Sequence, residues 1–211
     1  MTTVSPLPNI LTWIRIVAGL LAFALLAGAA GSFLPVGDLD ADLQFRFEQF
    51  AVVIFIIGAV TDFFDGMLAR RLHAETAWGA TLDPIADKIL VCGAILGLFA
   101  LGQDNKQLAL PAALILFREF TVSALRESAA ARGVTLKVTA LAKWKTTVQL
   151  VAIAAELFLL CWPAFGLEMN PSLMDPLAKV AHGLLWLAAV ITLWTGWDYV
   201  RSARRALPHE P

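Results

Sequence analysis

Hydrophobic positions in this chain come in six long runs, over residues 7–30, 45–71, 77–101, 108–132, 136–162 and 177–200, parted by short polar stretches. Each run is close to the roughly 20 residues a helix needs to cross a bilayer, so the pattern predicts six membrane-spanning α-helices in one bundle, an all-α polytopic fold. An even number of spans puts both termini on one side. Arg70, Arg71, Arg126, Arg132, Lys137, Lys143, Lys145, Arg201, Arg204 and Arg205 gather at the ends facing the second and fourth connections and the C-terminus. By the positive-inside rule that side is cytoplasmic. The opposite connections are acidic, with Asp38, Asp40, Asp42, Asp104, Glu168 and Asp175, and residues 31–44 read as a solvated external loop. The first run ends in Ala27-Gly28-Ala29, which imitates a signal-peptidase site. No basic residue precedes the run and Arg15 interrupts it, so it is expected to be retained as a span.

Composition agrees with the pattern. Of 211 residues 59% are hydrophobic and the mean hydropathy is +0.73, outside the range of an ordinary soluble domain. The net charge of −1 and the lack of a basic aromatic stripe give no footing to nucleic-acid binding. Residues 1–211 show no linker, repeat or low-complexity segment and read as a single domain. Cys92 and Cys161 lie far apart in apolar runs, as small buried hydrophobes do.

One stretch departs from the apolar pattern in a way that needs chemistry to explain it. At the helical step of 100° per residue, Asp62, Asp65, Gly66, Ala69 and Arg70 fall within an arc of roughly 140° at the end of the second run. Gly79, Asp83 and Asp87, spaced i, i+4, i+8, share a face of the third. The polar segment 71–78 reads as a turn between antiparallel helices, so the two faces can meet and four carboxylates can converge. Like charges so close call for cations, and an oxygen-only donor set suits hard divalent ions: Mg²⁺ or Mn²⁺, not zinc. Gly66 and Gly79 clear space for a ligand near the backbone, and Arg70 offers a fork for phosphate. Together they suggest phosphoryl transfer from a nucleotide-linked donor.

Charged residues elsewhere in the runs add to this. Asn9, Thr12 and Arg15 share i, i+3, i+6 spacing, which suits either an interfacial cap with a snorkelling arginine or a site. Arg118, mid-run, is expected to face inward to a partner, either Glu119 or a phosphate, while Arg126 lies nearer the cytoplasmic end. Lys143 and Lys145, two apart, point to opposite sides of a helix, so at most one faces a cavity. Trp186, Trp194 and Trp197 read as interface anchors or packing.

The string from Asp62 to Asp87, D-x2-D-G-x2-A-R-x8-G-x3-D-x3-D, resembles the signature of the CDP-alcohol phosphotransferase family at all eight fixed positions. The resemblance implies that Asp62, Asp65, Asp83 and Asp87 hold two metal ions and that Asp87 is the general base. It further implies that Asn9, Thr12, Asp62, Gly66, Ala69, Arg70 and Gly79 line the CDP site. Three further strings, Pro8 to Arg15 (PNILTWIR), Arg118 to Glu127 (REFTVSALRE) and Lys143 to Gln149 (KWKTTVQ), are similar to those of phosphatidylglycerophosphate synthases. They imply CDP-diacylglycerol as donor, glycerol 3-phosphate as acceptor and CMP as the released product, with Arg118, Arg126, Lys143 and Lys145 as candidates for the acceptor's phosphate. Inositol phosphate or phosphatidylglycerol is the alternative acceptor within the family. The resemblance also implies a homodimer in the inner membrane, with the site facing the cytoplasm. A divalent-cation transporter is the rival from another class, and it leaves Arg70 without a use. A non-catalytic lipid-binding scaffold is a third, and it would survive loss of any aspartate.

Overall fold

A computed structural model describes residues 7–32, 40–72, 77–102, 106–134, 140–168 and 170–206, with the side chains of 7–8, 63–72, 77–81 and 140–143 outside the described part. Among the described residues the chain is all helix: α1 Leu7–Ala29, α2 Ala41–Leu72, α3 Ala77–Leu101, α4 Ala109–Ala131, α5 Ala140–Leu160 and α6 Pro171–Ala206, with 3₁₀ turns at Lys106–Leu108 and Trp162–Phe165. Among the described residues, five of the six helices hold a stretch long and apolar enough to cross a bilayer. The protein is a polytopic integral membrane protein.

Two helices start earlier than the hydropathy pattern predicts, for the same reason. The Asp40 carbonyl accepts hydrogen bonds from the N–H groups of Leu43 and Gln44, and Asp42 sits in the first turn of α2, where a carboxylate meets the positive end of the helix. Residues 40–44 of the expected loop are therefore a helix start. At α6, Asn170 caps the Ser172 N–H at 3.1 Å and Pro171 takes the first helical position, where its missing N–H costs nothing. Of the predicted turn at 71–78, residues 71–72 and 77–78 are helical and 73–76 lie outside the described residues.

The chain divides into two compact units, one of Met1–Asn105 with Ile153–Ala178 and one of Lys106–Ala152 with Lys179–Pro211. In the first, α1 packs along both α2 and α3. Its buried stripe includes the small residues Ala18, Gly19 and Ala22, with Gly19 set against Leu90 of α3 and Ala18 against Gly58 of α2. A β-carbon at Gly19 would lie 2.8 Å from Leu90 Cα and N, and one at Gly93 would lie 2.5 Å from the Gly19 carbonyl oxygen. Only glycine lets these backbones touch. Gly19→Val is expected to cost about 1–3 kcal/mol as an overpacking change against backbone that cannot yield. It should lower the unfolding temperature of the protein in detergent; unchanged melting would place the two helices further apart.

In the second unit the core is Ala112, Ile115, Val122 and Ala129 of α4, Leu150 and Ala152 of α5, and Leu185, Ala188 and Ala189 of α6. Across both units the usual arrangement of a soluble protein is inverted. Phe117 and Trp144 are each 69% exposed, while Arg15 is 2% and Glu156 3% exposed. Large apolar side chains outside and charges inside are what a hydrocarbon solvent selects. Trp186, Trp194 and Trp197 are among the exposed ones, and the Arg201 guanidinium lies 5.6 Å from the Trp197 ring centre. No disulfide joins Cys92 and Cys161.

Candidate active site

Helix α1 turns one face to the two helices that carry the aspartates. Thr12, Arg15 and Gly19 follow one another at i, i+3, i+7 on that face, so close packing at Gly19 sets both polar side chains against α2 and α3. Thr12, fully buried, donates from Oγ1 to Asp83 Oδ1 at 2.5 Å. One turn further, Arg15 Nη1 donates to Asp87 Oδ1 at 2.6 Å and lies 3.3 Å from Asp62 Oδ1. Carboxylates from two helices thus reach the same nitrogen. Arg15 does not snorkel, because two acceptors within reach repay its desolvation better than a distant headgroup layer would.

The Asp87 side chain is 40% exposed and that of Asp62 23%, against 2% for Arg15, so the carboxylates face an opening with the guanidinium beneath them. Pro84, between Asp83 and Asp87 inside α3, has no N–H to give back to Ala80. An oxygen-only set, already gathered about one positive group, fits the chemistry a hard divalent ion requires. Among the described residues, no three acidic, histidine or cysteine side chains close on a common point suited to a metal. Asp65, the fourth predicted acid, lies on α2 with its side chain outside the described residues, as do Gly66, Ala69 and Arg70 on α2 and Gly79 on α3. Asn9 is half-buried, one turn before Thr12.

The predicted acceptor cations belong to the second unit. Arg118 is 8% exposed; its Nε donates to the Thr192 carbonyl at 3.1 Å, Nη2 to Thr195 Oγ1 at 3.0 Å and Nη1 to Glu119 Oε1 at 3.3 Å. Lys145, also buried, donates to the same Glu119 oxygen. Lys145 therefore faces inward; the Lys143 side chain lies outside the described residues. Arg126 is exposed on α4. Sequence reasoning did not foresee the partners from α6. The available signal was Thr192, Thr195, Gly196 and Tyr199, a small-and-polar stripe at i, i+3, i+4, i+7 in an apolar helix.

Comparison with known proteins bears on the chemistry. A family model described as CDP-alcohol phosphatidyltransferase matches residues 5–194. The chain is 41% identical to a CDP-diacylglycerol–glycerol-3-phosphate 3-phosphatidyltransferase of Cereibacter sphaeroides, over 97% of this chain and 98% of that one. It is also 41% identical to the Escherichia coli K12 protein of that name, over 74% of this chain and 80% of the relative. A Rickettsia bellii protein of that name is 37% identical over 75% of this chain and 81% of its own.

Proposed function

Because this chain belongs to the CDP-alcohol phosphatidyltransferase family, we propose that it transfers the phosphatidyl group of CDP-diacylglycerol to sn-glycerol 3-phosphate, giving phosphatidylglycerophosphate and CMP. The observation that carries the reading is the meeting of Asp62 and Asp87, from separate helices, at one cationic nitrogen within the eight-position family string. The names of the relatives support the choice of donor and acceptor.

Asp62, Asp65, Asp83 and Asp87 would hold two divalent ions, Mg²⁺ or Mn²⁺. Bound there, such ions supply neutralisation of the diphosphate and of the CMP that departs. The chain's own groups do the rest. Gly66, Ala69 and Gly79 leave room for the nucleotide near the backbone, Arg70 takes a phosphate, and Asn9 and Thr12 extend the CDP site along α1. Thr12 fixes the Asp83 carboxylate by its hydrogen bond. Asp87 removes the proton of the attacking hydroxyl. Arg118, Arg126, Lys143 and Lys145 provide the positive charge that a phosphorylated acceptor requires and an uncharged one does not.

The excess of Lys and Arg at one set of helix ends supports a cytoplasmic site, on the side where nucleotides are found, and cytoplasmic termini. We take residues 1–211 as one catalytic domain, working as a homodimer within membrane lipid. The test is CMP release by the purified protein from CDP-diacylglycerol with Mg²⁺ and a panel of alcohols. Glycerol 3-phosphate is expected to be the acceptor used, and chelation of the metal is expected to abolish release. Preference for inositol phosphate or phosphatidylglycerol would overturn the acceptor; release in excess chelator would overturn the metal site.

A further inference from the structure

Arg118 is held more tightly than one buried ion pair would need. Three of the five guanidinium donors are committed to fixed partners, the Thr192 carbonyl, Thr195 Oγ1 and Glu119 Oε1. The Thr195 hydroxyl is itself oriented, since it points to the Ile191 and Thr192 carbonyls at 3.0 Å and turns a lone pair to the arginine. The stem is fixed too. A β-carbon at Gly196 would lie 2.9 Å from Arg118 Cγ, near the root of the side chain, where a rotamer change at the tip gives no relief. Tyr199, the only tyrosine of the chain, places its ring 5.7 Å from the guanidinium carbon. On the other side Glu119 joins Arg118 to Lys145 through a single oxygen.

We propose that Thr195 and Gly196 of α6, with Glu119 of α4, are positioning residues that hold Arg118 and Lys145 as one preorganised receptor for the phosphate of the acceptor. This rests on the reading that Arg118 binds that phosphate. The partners take the Nε N–H and one N–H from each terminal nitrogen of Arg118, so two of its five donors remain for a phosphate. None of the three positioning residues touches the reacting atoms. They act by removing the conformational freedom that a long cation would otherwise lose on binding.

The experiment measures KM and kcat for glycerol 3-phosphate, and KM for CDP-diacylglycerol, in Thr195→Val, Thr195→Ser, Gly196→Ala, Glu119→Gln and Arg118→Ala. Valine keeps the shape of threonine and removes the hydroxyl; serine restores it. Thr195→Val and Gly196→Ala are each expected to raise the KM for glycerol 3-phosphate by about tenfold. The KM for CDP-diacylglycerol should be unchanged, and Thr195→Ser should behave as wild type. Glu119→Gln, which keeps an acceptor oxygen and drops the charge that ties Lys145, should raise the same KM. If Arg118→Ala raises the acceptor KM and the Thr195 and Gly196 variants do not, the positioning role is wrong and the phosphate site stands. If Arg118→Ala itself leaves that KM unaltered, the assignment of the phosphate to Arg118 fails. Should Gly196→Ala not fold, the valine and serine pair at 195 decides.

Discussion

Asp87→Asn is expected to lower turnover by about a thousandfold while leaving CDP-diacylglycerol binding largely intact. Asparagine keeps the size of the side chain and the Oδ1 atom to which Arg15 donates, so the arrangement of α1 against α3 should persist. What it loses is the ability to accept a proton. Of the two described aspartates that meet Arg15, Asp87 has the more open side chain, which supports its assignment as the base. Turnover by purified enzyme, with donor binding measured separately, checks the result. Equal turnover in mutant and wild type would refute the base assignment. Restoration of the mutant by a large excess of Mg²⁺ or Mn²⁺ would show instead that Asp87 serves only to hold the ion.

The six apolar runs made the helices legible because lipid imposes length and hydrophobicity on each span independently of its neighbours. Helix starts were harder. Asp40, Asp42 and Pro171 are residues that end an apolar run and so read as loop, yet an acid in the first turn and a proline at the first position are also what begins a helix. In the site, the approach of Asp62 and Asp87 was legible because the spacing of the string lies within two consecutive helices. The partners of those residues were not, since Arg15 and Asp87 are 72 positions apart and no periodicity states which helix packs on which. The contact at Gly19 decides that, and a glycine inside an apolar run gives no hint of its neighbour. The same holds for Arg118. Its need for a partner could be read from a charge in mid-span, but the choice of Thr192 and Thr195, more than 70 residues on, is a product of packing.

Arg15→Met should change the stability of the protein and, more tellingly, how stability depends on metal. Arg15 is 2% exposed and is the cation described between Asp62 and Asp87. Removing one partner of a buried pair costs about 3–5 kcal/mol, and the partial exposure of both carboxylates argues for the lower end of that range. Methionine fills much of the volume, so the loss is mainly electrostatic: two acids are left opposed without the guanidinium that both of them meet. In chelator, the mutant is therefore expected to unfold at a lower temperature than wild type. Divalent ions bind the folded state and relieve the same repulsion, so Mg²⁺ or Mn²⁺ should raise the unfolding temperature of Arg15→Met by more than that of wild type. Arg15→Lys, which returns a point charge without the fork, should fall between them. Thermal unfolding in detergent, with chelator and then with each ion, makes the comparison without reference to activity. An identical metal-induced shift in all three proteins would mean that Arg15 and the ion do not share these carboxylates, and the guanidinium would then be a structural tie of α1 to its neighbours and nothing more.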